Sequence, residues 1–172
     1  MSQVELPDLG REASTLLGAL DQQRRHVLGI LEGLPEEALH QAVLPSGWTP
    51  AGLVQHLAFD VEHFWFCLVV SGGEEGEHVE EPPDAWQVAP GTSGDAILDL
   101  YRGEVERAND VIRATPMDAP PAWWPEELFG SWRLDDMRQI LVHVITETAC
   151  HAGHLDAARE LVDGRTWLVL NG

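Results

Sequence analysis

The chain has 172 residues, with 29 Asp and Glu against 10 basic residues, every one of them Arg, for a formal net charge of −19. So acidic a chain repels phosphate backbones and anionic lipid surfaces, which excludes nucleic-acid binding and a polybasic membrane anchor; without Lys, Schiff-base and P-loop lysine chemistry is excluded too. Seven Trp and 44% apolar residues set it apart from a disordered acidic chain and predict one domain, residues 1–172, with a sizeable core.

The opening MSQVELPDLG has neither the basic nor the apolar region of a secretory signal, so a cytoplasmic protein is expected. Leu9, Ala13, Leu16, Leu20, Val27 and Ile30 recur at helical spacing, with Arg11, Asp21, Arg24 and Arg25 off that stripe. Gly33-Leu34-Pro35 ends this first helix. Thr49-Pro50 opens the second, a cap residue followed by a proline whose missing N–H would be orphaned there anyway. It runs through Leu53, Leu57, Phe64 and Leu68 to Ser71-Gly72-Gly73. Its longest unbroken apolar run, residues 64–70, is far short of the ~20 residues of a membrane span.

Residues 71–91 carry Glu74, Glu75, Glu77, Glu80, Glu81 and Asp84 with no Arg, and read as a solvated loop. A third helix follows Gly91-Thr92-Ser93, with Ile97, Tyr101, Val105, Ala108 and Ile112 as its stripe, and stops before Pro116. Residues 116–133 are rich in Pro and Trp (Trp123, Trp124, Trp132). They are expected to cover one end of a bundle, with the lining of a ligand pocket as the functional alternative. The fourth and longest helix starts near Leu134-Asp135-Asp136 and continues to Asp163-Gly164. The tail at 166–170 reads as a short extended segment. Four amphipathic helices without strands predict an all-α four-helix bundle.

On the fourth helix His143, Glu147, His151 and His154 follow at steps of four, four and three. At ~100° per residue they share one face within a quarter-turn. Residues 140–158 are mostly apolar or small, so that face looks into an interior or a cleft. Helix two contributes His56, with Asp60 and His63 one and two turns on. Unpaired imidazoles and carboxylates inside a bundle cost several kcal/mol unless hydrogen-bonded or coordinated. Either a His/Glu hydrogen-bond network or a divalent metal resolves that cost. No HExxH and no helix-borne Glu-x-x-His pair is present (Glu37/His40 and Glu75/His78 lie in connections), so zincin and di-iron centres are not expected. Cys67 and Cys150 read as small buried apolar residues in a reducing compartment. His26, His40 and His78 read as surface groups.

The stretch SGWTPAGLVQHL at 46–57 and the later ETACHAGH at 147–154 resemble the two metal motifs of the DinB-like superfamily. The likeness extends over nearly the whole chain and is strongest to an actinobacterial-type branch and to the N-terminal domain of mycothiol-dependent maleylpyruvate isomerase. It implies a four-helix bundle, often a homodimer, with one divalent ion, usually zinc or nickel. His56 matches the helix-two ligand and His151 the second ligand of the helix-four motif. Glu147 stands where many members have His and the isomerase has Glu, and is expected to be a buried, coordinated carboxylate. His154 stands where many relatives carry Gln and is expected to support or replace a ligand. His143, one turn before Glu147, is either a hydrogen-bonding neighbour or packing. The isomerase has a further C-terminal domain and this chain ends at Gly172, so maleylpyruvate isomerisation is not expected.

Two imidazoles and one carboxylate leave coordination positions open, the layout of a reactive site. The resemblance implies a small-molecule thiol of the mycothiol or bacillithiol kind and an electrophilic partner. A coordinated thiol loses its proton near neutral pH and becomes the nucleophile. Hydrolysis by the same metal, and a non-catalytic metal-binding or stress-associated role, remain the alternatives.

Overall fold

The computed structural model describes residues 10–73 and 84–167. They form four long helices: α1 (Arg11–Leu31), α3 (Pro50–Val70), α4 (Gly94–Ala114) and α6 (Met137–Asp163). One-turn helices α2 (Glu36–Leu39) and α5 (Glu126–Phe129) sit in two of the connections, and there is no strand among the described residues. The expected all-α bundle is what the chain builds. The tail at 166–170 lies outside the described residues beyond Trp167, and the acidic stretch lies outside them except for Asp84.

The helix ends follow their sequence signals. Thr49 Oγ1 accepts from Gly52 N at 3.0 Å, with Pro50 at the first helical position. Ser93 caps α4 through Ala96 N, and Asp136 caps α6 through Gln139 N. Gly164 closes α6 at φ 76°, in the left-handed region that glycine adopts without a Cβ penalty. The unforeseen α2 has a role here: Glu36 accepts from Gly94 N, so its carboxylate sits at the positive N-terminus of α4.

Packing places α3 centrally, against both α4 and α6, while α1 lies along α6. The buried residues of α3 run almost without a gap, so it is apolar enough over 21 residues to cross a membrane by length and composition. Most of it is buried inside the bundle, and a helix surrounded by protein has the same composition. From Leu57 to Val70 α3 is wound as a π-helix, whose N–H groups reach back five residues instead of four. Residues on one face are then spaced by four or five, as His56, Asp60, Val61, Phe64 and Trp65 are along one cleft.

Arg24 corrects the reading of α1. It was expected off the apolar stripe, yet it is buried and donates to both oxygens of Glu62 on α3, at 2.7 and 2.6 Å. It follows Leu20 by four residues and Leu17 by seven, which is the buried face. His26 also departs from its surface placement, because its Nδ1 is buried. His40 is partly exposed beside Glu36. His78 lies outside the described residues.

Candidate metal centre

His56 stands where the α-helical start of α3 gives way to its π-wound remainder. Its Nδ1 lies 2.7 Å from Asp60 Oδ2, one turn further along. An ionised carboxylate only accepts, so in the neutral ring Nδ1 carries the proton and Nε2 keeps its lone pair. Trp86 lies flat against the imidazole, with centroids 4.1 Å apart and planes at 19°. The backbone around Trp86 is held by Gln55, whose amide donates to Ala85 O and Gln87 O. Gly52 is required beneath it, because a Cβ there would lie 2.4 Å from Trp86 O.

From α6, His151 meets His56 edge to face at 5.0 Å. Burial first, and then the neighbouring His56 and His154, push its pKa down to about 4. The ring is therefore neutral at pH 7 and offers a lone pair. Its Nδ1 is buried and meets no hydrogen-bond partner among the described residues. Glu147 Oε2 is 3.7 Å from His151 Nε2.

Glu147 corrects a second expectation. It is no buried carboxylate: 41% of its side chain is exposed, while Glu62 and Glu104 are the fully buried acids. It borders a cleft of about 390 Å³ rather than lying inside the core. His56, Asp60, His143 and Glu147 form the polar wall of that cleft, and Phe64, Trp65 and Phe129 form much of the apolar one. Residues 116–133 thus supply lining, through α5, as well as cover. Phe129 stacks on Trp65 at 5.6 Å and 12°, and Trp132 and Trp124 pack around the pair.

His56, Glu147 and His151 converge on this region, but their ligating atoms do not all come within 4.8 Å of one another. His143 is wedged between Trp65 and Trp132, at 4.7 and 5.4 Å, and burial holds its pKa below the usual range. His154 is exposed, 5.6 Å from His151 and 6.4 Å from Trp48.

His63 does not join this group. Seven α-helical residues would return it to the His56 face, but π winding advances each residue by less than ~100°, so it falls short. It turns to α4, where Nδ1 bonds Glu104. Cys67 is buried on that side, as expected, whereas Cys150 is exposed, contrary to its reading as a core residue. Trp86 is the functional neighbour that sequence reasoning missed, and a Trp standing in an otherwise acidic loop was its only signal.

An all-helical bundle with two helix-borne imidazoles and a carboxylate at the edge of an aromatic cleft defines a DinB-like protein. A family model described as Mycothiol-S-transferase matches residues 15–164, and the chain belongs to that family. No curated protein matches it significantly.

Proposed function

We propose that the chain is a metal-dependent thiol S-transferase acting in the cytosol, with a divalent ion of the zinc or nickel kind held by His56, Glu147 and His151. The observation that carries this reading is the buried, unpartnered Nδ1 of a neutral His151 beside a His56 whose tautomer Asp60 fixes. A lone buried imidazole is costly to keep without a partner, and a carboxylate–imidazole pair is the usual support of a metal ligand. Two imidazoles and one carboxylate suit such an ion and leave room for a substrate. When bound, the ion supplies acidity, so that a mycothiol-type thiol ligating it is a thiolate at neutral pH.

The chain's own residues do the rest. Asp60 keeps the proton on His56 Nδ1. Phe64, Trp65 and Phe129 exclude water and receive the apolar part of an electrophile. His143, held neutral at the cleft wall, would accept the proton that the thiol loses. No protein nucleophile is needed, and neither cysteine is offered to the cleft: Cys67 is buried beside α4 and Cys150 is exposed on α6.

Metal analysis and single-turnover assays test this. His56→Ala is expected to lose about one equivalent of metal relative to the parent after repletion. It is also expected to lose transfer of mycothiol to an activated alkyl halide. Unchanged metal content in His56→Ala would sink the assignment. Metal-dependent ester or amide turnover without thiol transfer would replace a transferase by a hydrolase.

A further inference from the structure

On the far side of α3 from the His56 cleft, a second set of donors faces α4. His63 and Cys67 stand one turn apart on α3, and Glu104 faces them from α4. One donor atom from each lies within 4.8 Å of the other two, and all three residues are buried. His63 Nδ1 is 3.0 Å from Glu104 Oε2. Arg107 holds the same carboxylate, through Nε to Oε2 at 3.0 Å and through Nη2 to Oε1.

We infer that His63, Cys67 and Glu104 form a second divalent-metal site, of the zinc class, that joins α3 to α4. The donor chemistry selects the ion. A thiolate with an imidazole and a carboxylate suits a borderline d-block cation and not calcium or magnesium, which take oxygen. Bonds of about 2.0–2.3 Å set donors roughly 3.5 Å apart, so side-chain rotations of less than a bond length close the set. Arg107 bonds both oxygens of the carboxylate and holds its orientation, as groups supporting a ligand do.

A dication there takes a neutral imidazole and a thiolate as donors, so its binding releases protons. Burial of all three donors separates this site from the half-exposed one at His56. It rests on α3 and α4 alone and stands whether or not His56 binds metal.

Cobalt titration in thiol-free buffer tests it, on the full chain carrying Cys150→Ser so that Cys67 is the only cysteine. The expected result is a near-ultraviolet thiolate-to-cobalt charge-transfer absorption saturating at about one equivalent. It should be retained in the added His56→Ala variant and lost in Cys67→Ser. No such band in the folded Cys150→Ser protein overturns the site and leaves a hydrogen-bonded His63–Glu104 pair only. A band that survives Cys67→Ser also overturns it. Because the single-cysteine protein decides by itself, a Cys67→Ser variant that fails to fold leaves the test intact. Loss of metal without loss of the band in His56→Ala separates the two centres.

Discussion

Two kinds of polar burial set the behaviour of individual residues. At His56 the carboxylate of Asp60 is a support: it fixes which nitrogen bears the proton and how the ring is turned. Asp60→Asn keeps the shape but removes the charge. It is expected to weaken metal binding about 10–100-fold, with little change in the urea midpoint because Asp60 is half exposed. Equal affinity, read by competition with a chromogenic chelator, would show that His56 needs no such support. Arg24 and Glu62 are different, since both are buried and each satisfies the other through two hydrogen bonds. Glu62→Gln removes the buried counter-charge of the guanidinium and leaves it Asp21, and is expected to cost about 1–3 kcal/mol. Arg24→Met combined with Glu62→Leu should recover much of that loss, because it removes both charges. A double variant as unstable as the single one in urea would show that shape, and not charge, governs the position.

Among the elements α3 carries the most. Its winding decides which of its polar residues meet: His56 and Asp60 face the cleft, Glu62 faces α1, and His63 and Cys67 face α4. Its start decides the cleft's cover. Gly52 lets the 84–87 backbone approach closely enough for Trp86 to lie on His56. In Gly52→Ala the new Cβ meets backbone, which cannot rotate away, so Trp86 must lift. The expected cost is about 1–3 kcal/mol, with a shift in tryptophan emission. An unchanged midpoint and spectrum would mean that the segment rides on Gln55 alone.

Over the whole molecule the helices are joined by buried ion pairs as well as by apolar packing, and this gives stability a pH window. In metal-free protein His63 is raised to about 10 by hydrogen bonds to Cys67 and Glu104, against the pull of burial. Its contribution is complete below its unfolded value near 6.5 and is lost as pH rises through about 10. Burial acts to raise Glu104, but hydrogen bonds from His63 and Arg107 outweigh it and hold the carboxyl below 4.5. Its contribution is present above 4.5 and is lost as pH falls through the lowered value. Chelated parent and Glu104→Gln proteins should therefore differ most in urea midpoint between pH 4.5 and 6.5. The gap should narrow toward pH 10. A gap that stays flat across that range would show that His63 is neutral in the folded chain.

Much of this architecture is local and was legible in the sequence. Thr49-Pro50, Ser93, Asp136 and Gly164 bound their helices because capping depends on residues a few positions apart. The approach of His56 to His151 followed from the two motifs. Facing directions beyond one turn were not legible. A stripe drawn at 3.6 residues per turn put His63 with His56, and only the packed α3 shows winding that separates them. Nor does periodicity price a buried charge. Arg24 looks like a surface residue until Glu62 arrives opposite it from another helix. Glu147 looks interior until the neighbouring segments leave a cleft at its side. The helices, their ends and the residue types available for chemistry could be read along the chain, because they depend on near neighbours in it. The partner of each buried polar group was decided only by tertiary structure, because desolvation and pairing depend on what other helices bring to the same few ångströms.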